Sequence, residues 1–189
     1  MHPIPKARFE QFSDGVFAIA ITLLAIELRS PVLHHLDLTR SIRELLPLLP
    51  TLLTFVISFV TIAIFWVNHH QLTHLVQHID RRRILWSNVL FLLFLTIIPF
   101  VTQGVSTYPF HPLTVLAYSL VFLGASVSFS LLRYYIHRSL GELSIPMIRS
   151  IFGPVLYILA AISALISIEL SYVLLAIPAI FYFLPKGSA

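Results

Sequence analysis

Cysteine is absent from the sequence, and charged residues are scarce. Without cysteine, a disulfide framework, a thiolate metal site and a cysteine nucleophile are all excluded. Charged residues make up only 11% of the 189 residues, whereas hydrophobic residues make up 58%. Soluble domains carry about 25% charged residues, so this chain could not cover its surface with polar groups in water. The composition predicts a membrane protein, and nucleic-acid binding is not expected despite the net charge of +4.

Parts of several known mechanisms are also missing. No Thr-Val-Gly-Tyr-Gly segment, from which potassium channels build a filter of carbonyl oxygens, occurs in the chain. Arg81, Arg82 and Arg83 are consecutive, and we expect them in a loop rather than spaced along a voltage-sensing helix. Ser13 and His69 could act as nucleophile and base, but no glycine motif for an oxyanion hole accompanies them. We therefore do not expect an enzyme.

Six apolar segments are predicted as membrane-spanning helices. A hydrocarbon core about 30 Å thick needs about 20 apolar residues per helix. Segments 45–67, 84–110 and 113–132 contain no charged residue and reach this length, and segment 15–26 is a shorter apolar run. Segment 150–185 is interrupted only by Glu169 and fits two short helices in a tight hairpin. The prediction is an all-α polytopic membrane protein, with residues 1–189 forming a single six-span subunit.

The distribution of basic residues predicts the orientation of these helices. Of the 12 lysines and arginines, all but three lie on the side of the N-terminus, which six spans place on the same side as the C-terminus. The three exceptions are Arg29, Arg40 and Arg43, around the first loop of the opposite side. Because short loops rich in lysine and arginine stay in the cytoplasm, both termini are expected there.

The first span has two different faces. At 100° per residue, an apolar stripe lies within about 40° of one line, and Thr22 lies beside it. The stripe consists of Phe12, Gly15, Ile19, Leu23 and Ile26.

Asp14 lies about 140° from Ile19 on the same wheel, next to the small residues Ala18 and Ala25, which would let another helix approach closely. A carboxylate at this depth in a membrane needs a polar partner. We therefore expect Asp14 to be buried against a neighbouring helix.

Candidate partners for Asp14 follow in the second span. Trp66, Asn68, His69 and His70 can each donate a hydrogen bond, and they lie near the predicted cytoplasmic end of that span. A different interpretation of this region is a metal-binding ladder, because histidines spaced by four residues share a helical face. That ladder would be His70, His74 and His78. With no cysteine and only Asp80 as a nearby carboxylate, metal binding is not expected, although the pattern leaves it open.

The first helix carries a recognisable motif. Arg8, Phe12, Ser13 and Asp14, followed by the run Gly15–Leu24, resemble the first-helix signature of the transmembrane-protein-175-type potassium channel family, the prokaryotic relatives of the lysosomal potassium channel. Trp66 and the His69, His70 pair at the end of the second span also resemble this family. The six-span length of the family covers the whole chain.

This resemblance implies a homotetramer with a pore on a fourfold axis, lined by the first helix of each subunit. The hydrophobic constriction of the family falls on Ile19, with Leu23 and Ile26 continuing the pore wall and Thr22 supplying a hydroxyl. The resemblance also implies a structural lock between the first helix and its neighbours, and it leaves open which of the two adjacent histidines takes part. The lock residues are Arg8, Phe12, Ser13, Asp14, Trp66, His69 and His70.

The function that the resemblance implies is a potassium-permeable cation channel in a bacterial or archaeal cell membrane. Apolar rings at Ile19 and beyond would close the pore by dewetting, and selectivity would be modest because only ion dehydration and Thr22 could provide it. Glu27 would attract cations to the outer mouth. No cofactor is expected apart from the permeant potassium ion, and the expected partners are further copies of the chain and membrane lipid. A proton-conducting channel is the alternative, and a noncatalytic membrane scaffold is a further one.

Overall fold

The computed structural model describes residues 4–26, 28, 37, 45–76, 78–79, 81–141 and 147–183. Six α-helices lie within these ranges, which agrees with the predicted all-α class and with the predicted number of helices. The helices are α1 (Lys6–Ile26), α2 (Leu49–Thr73), α3 (Arg82–Thr107), α4 (Pro112–Ser139), α5 (Met147–Ser163) and α6 (Ile168–Phe183). A 3-10 turn, Leu46–Leu48, leads directly into α2.

Four of these helices are long and apolar enough to cross a membrane, namely α1, α2 with its preceding turn, α3 and α4. The apolar parts of α5 and α6, Ser150–Ser163 and Ile168–Phe181, are shorter. The two pack against each other across a turn of four residues. This arrangement confirms the hairpin that was predicted for segment 150–185.

The helices extend further than the apolar runs that predicted them. α1 begins at Lys6, and α2 continues through His69 and His70 to Thr73. The expected loop position of the arginines is wrong for Arg82 and Arg83, which form the first turn of α3, whereas Arg81 precedes the helix with extended backbone. A helix satisfies its own backbone hydrogen bonds in water as well as in lipid, so its end need not coincide with the end of the apolar run.

A two-stranded antiparallel pair was not predicted. β1 (Ile4–Pro5) pairs with β2 (His78–Ile79), with Ile4 opposite Ile79. Strands of two residues leave no periodic sequence pattern. The pair joins the chain just before α1 to the segment between α2 and α3.

Aromatic rings form the centre of the subunit. The ring of Phe91 on α3 lies 5.3 Å from Phe65 of α2, 5.1 Å from Phe129 of α4 and 5.9 Å from Phe17 of α1, measured between centroids. His69 stacks on the same ring at 6.1 Å. One residue of α3 therefore joins α1, α2 and α4.

The contact between α3 and α4 depends on a glycine. A Cβ atom built on Gly124 would collide with the ring of Phe94. Only glycine lets the two helices approach this closely without moving that ring.

Proline inside a membrane helix leaves a carbonyl without its usual donor. Pro154 of α5 has this effect on the carbonyl of Ser150, four residues earlier. The hydroxyl of Ser130 on α4 donates to that carbonyl over 2.7 Å. The proline thus creates an acceptor that joins α5 to α4, as neighbouring hydroxyls commonly do in membrane helices.

Candidate functional site: the first helix and its polar base

α1 buries one line of residues and exposes another. The buried line follows helical spacing and packs against α2 and α3. It consists of Phe9, Ser13, Phe17, Ala20 and Leu24. On the other side, Ile19 is 59% exposed in the single subunit, whereas Leu24 is 1% exposed. The apolar stripe identified in the sequence therefore belongs to the surface of α1 that the rest of the chain leaves uncovered.

The stripe is apolar along its length, with one hydroxyl beside it. Phe12, Ile19, Leu23 and Ile26 are all exposed large hydrophobic residues. Thr22 is also exposed, and its hydroxyl donates to the carbonyl of Ile19 over 2.9 Å. Because a hydroxyl keeps two acceptor lone pairs when it donates, the Thr22 oxygen can still coordinate a cation or water.

Near the first residues of α1, three buried polar side chains link α1, α2 and α3. Asn88 of α3 donates from Nδ2 to Ser13 Oγ over 3.0 Å. The Oδ1 atom of Asn88 lies 2.9 Å from Nε2 of His69. Ser13 Oγ in turn donates to the carbonyl of Phe9, one turn earlier in α1. All three side chains are almost fully buried, so their hydrogen bonds to one another replace bonds to water.

Asn88 was missed in the sequence analysis. The signal was present, since an amide in an apolar span must find partners inside the protein. Of the two adjacent histidines, His69 is the one bonded to this cluster, and it stacks on Phe9 at 6.1 Å between ring centroids.

Asp14 has a different partner. Its Oδ1 atom accepts a hydrogen bond of 2.9 Å from the indole Nε1 of Trp66. Asp14 is exposed in the single subunit, as are Ala18 and Ala25. Trp66 is one of the donors that the sequence predicted for Asp14. Within a single chain Asp14 is not buried against a neighbouring helix, so its expected burial stays a prediction for the assembled protein.

Asn68 does not join Asp14. Its amide donates to the carbonyl of Ile64, one turn earlier in α2.

His70 belongs to a more exposed polar group at the end of α2. Its ring stacks on Trp66, with 5.9 Å between centroids, and its Nε2 atom lies 3.0 Å from Nε2 of His74. Lys6 Nζ lies 3.5 Å from Nδ1 of His74 and 3.7 Å from Oε1 of Glu10.

Glu10 also accepts a hydrogen bond of 2.9 Å from Thr73. These contacts join the start of α1 to the last turn of α2.

Of the other predicted residues, two are exposed and two lie, wholly or in their side chains, outside the described part of the chain. Arg8 is exposed, and Phe12 lies on the stripe at 61% exposure rather than among the lock residues. Glu27, predicted at the outer mouth, lies outside the described residues, as does the side chain of His78. Within the described part of the chain, no three histidine or carboxylate side chains converge as metal ligands.

Comparison with known proteins gives one consistent result. Residues 8–99 match the sequence profile of the family described as endosomal/lysosomal potassium channel TMEM175. A potassium channel of Chamaesiphon minutus is 35% identical, and the alignment covers 96% of this chain and 95% of that protein. The endosomal/lysosomal proton channel TMEM175 of Danio rerio is 39% identical over 37% of this chain and 15% of its own length.

A solved structure has the same fold. The crystal structure of a lysosomal potassium-selective channel TMEM175 homolog from Chamaesiphon minutus matches with a TM-score of 0.82 and 33% identity. The match covers 94% of this chain and 95% of that one. The fold, the motif on α1 and these similarities agree: the chain belongs to the TMEM175 family of potassium channels.

Proposed function

We propose that the chain forms a potassium-permeable channel in which the exposed stripe of α1 lines the pore. The observation that carries this proposal is the contrast between Ile19 and Leu24, which lie on one helix at 59% and 1% exposure. A stripe that the subunit itself leaves open needs another surface to cover it. Water and ions in a pore, facing copies of the same stripe, would supply that surface.

Assembly as a homotetramer around a fourfold axis is part of the same proposal. One helix cannot enclose a pore, so several copies of α1 must meet. Burial within a single chain supports this assembly. In the most apolar stretch of each helix, 28% is buried in α1 and in α2, against 50% in α3 and in α4. The first two helices thus keep most of their surface for lipid or for other copies. A mass measurement in detergent tests the proposal, and a monomer that still conducts contradicts it.

The gate would be hydrophobic. Water inside a narrow ring of Ile19 side chains loses hydrogen bonds that the ring cannot replace, which costs several kcal/mol per polar group. The closed pore would then be dry at Ile19, with Leu23 and Ile26 extending the apolar wall. Outward movement of the α1 helices would hydrate it. Potassium would be favoured modestly over sodium, because it loses its hydration shell more easily and Thr22 can replace part of it.

The test compares Ile19→Asn with Leu24→Ala in vesicles of defined lipid. Asparagine would hydrate the constriction, so basal potassium flux is expected to rise and the preference for potassium over sodium to fall. Leu24→Ala should reduce the folded yield instead, because Leu24 is buried against the subunit core. Unchanged flux in Ile19→Asn together with a large change in conductance in Leu24→Ala would assign the pore to the other face.

Proton conduction is the second candidate. It is favoured by the contacts among Glu10, Lys6, His74 and His70 at the base of α1, since histidines and carboxylates form proton relays. Reversal potentials separate the two candidates. A shift that follows the potassium gradient supports the first proposal, and a shift that follows the pH gradient supports this one.

We do not propose catalysis or a scaffold without transport. Asn88 stands between Ser13 and His69, which argues against a nucleophile and base in direct contact. The proposal further places both termini in the cytoplasm, on the basis of the lysine and arginine distribution. Residues 1–189 would form a single channel subunit. Conduction would need no cofactor beyond the permeant ion.

A further inference from the structure

A groove lies away from the stripe of α1, between α2, α4, α5 and α6. Most of the lining is apolar, and the rings of Phe65, Phe129 and Tyr157 form much of it. The groove therefore offers an open, mostly apolar surface against which part of a hydrocarbon chain can pack.

One end of the groove is polar and positively charged. Asn68 and Arg133 are the last lining residues of α2 and α4, which run in the same direction through the bundle. The guanidinium of Arg133 lies over the ring of Phe129, 5.1 Å from its centroid. Its Nη1 atom donates to Ser150 Oγ over 3.4 Å. Arg133 is half-buried, so its positive charge is held at the groove and not on an extended surface side chain.

An apolar groove with a positive charge at one end can bind a molecule that has an apolar tail and an anionic head group. Basic pockets between membrane helices bind the head groups of anionic lipids. Arginine suits a phosphate better than lysine does, because its planar guanidinium can donate two parallel hydrogen bonds. We propose that this groove binds an anionic phospholipid, with the phosphate at Arg133 and one acyl chain along the aromatic wall. The site is separate from the proposed pore, and the proposal does not depend on ion conduction.

Native mass spectrometry of the purified protein tests this proposal. The probes are dioleoylphosphatidylglycerol and dioleoylphosphatidylcholine, which differ in head-group charge. We expect preferential retention of the anionic lipid, and loss of one cation in Arg133→Gln should weaken its binding about fivefold. Arg133→Lys, which keeps the charge but cannot donate two parallel hydrogen bonds from one planar group, should recover only part of the binding.

Arg138→Gln is the matched control. Arg138 lies on the same helix, but it is exposed, and it bonds to the hydroxyl of Tyr134 at 2.6 Å outside the groove. Its replacement should leave lipid binding unchanged. A second variant, Ala179→Leu, adds volume at a buried lining position and should weaken retention of both lipids if the acyl chain lies there. This variant also keeps the proposal testable if Arg133→Gln fails to fold.

Three results would overturn the proposal. The first is equal retention of the two lipids by the unaltered protein. The second is an equal loss in Arg133→Gln and Arg138→Gln, which would indicate a general effect of surface charge. The third is displacement of the anionic lipid by millimolar inorganic phosphate, which would mean that the acyl chain contributes nothing.

Discussion

Asn88 donates a hydrogen bond to Ser13 across 3.0 Å, and the two residues are separated by 75 positions in the chain. The bond joins α3 to the helix that carries the exposed stripe. Because Asn88 also contacts His69, a single amide fixes α1, α2 and α3 relative to one another at one level. Removing this amide should therefore weaken the packing of the first turns of α1 on α2 and α3.

We expect Asn88→Leu to lower the free energy of unfolding by about 1 to 3 kcal/mol, the usual cost of leaving buried polar partners unsatisfied. Ser13 and His69 would both lose a buried partner. Thermal unfolding in detergent measures the effect. Asn68→Ala is the control, since Asn68 bonds only within its own helix turn in the described structure, and its effect should be small. Equal effects of the two variants would contradict a special role for Asn88.

The hydrogen bond between Trp66 and Asp14 can be measured by a double-mutant cycle. Trp66→Phe removes the indole N–H but retains an aromatic ring that can stack on His70. Asp14→Ala removes the acceptor. We expect a coupling free energy of up to about 1 kcal/mol, because Asp14 is exposed and solvent weakens the interaction. Additive effects on stability would mean that the two side chains do not interact in the membrane.

Thr22 offers a test of selectivity at the stripe. Thr22→Val keeps the shape of the side chain and removes the hydroxyl. If the Thr22 oxygen replaces part of the hydration shell of potassium, the potassium-to-sodium permeability ratio should fall, whereas Thr22→Ser should preserve it. Permeability ratios from bilayer recordings under bi-ionic conditions measure this. A ratio unaffected by valine would remove Thr22 from the permeation pathway.

Gly124 tests the packing of α3 on α4. Gly124→Ala places a methyl group against the ring of Phe94, so we expect destabilisation of about 1 to 3 kcal/mol from overpacking. Phe94→Leu in the same chain should restore part of the loss by making room. Gly15→Ala is a suitable comparison, since a Cβ there would have no neighbour within 4 Å in the single subunit. No rescue by Phe94→Leu would show that the ring is not the obstacle.

The sequence predicted the helices well because apolar length and charge placement are local properties. Helical periodicity also separated Ile19 from Leu24, and the structure has these residues on opposite faces of α1. Trp66 was among the partners predicted for Asp14, whereas Asn88, the partner of Ser13, was not predicted. A helical wheel gives the direction of Asp14 but not the distance to the next helix, so its exposure in the single chain could not be predicted. The role of Asn88 depends on how three helices are rotated about their own axes, which one sequence does not determine.

Within the described ranges, the hydrogen bonds of α1 to other helices lie near its first residues. Glu10, Ser13 and Asp14 are bonded to α2 or α3 through side chains, whereas Phe17, Ala20 and Leu24 are held by apolar packing alone. Directional bonds resist sliding and rotation, but apolar contacts tolerate small displacements of either. We therefore expect α1 to tilt as a rigid body about Ser13. The displacement of each residue should then grow with its distance from Ser13. A tilt that hardly moves the polar base would shift Ile26 several times further than Phe17.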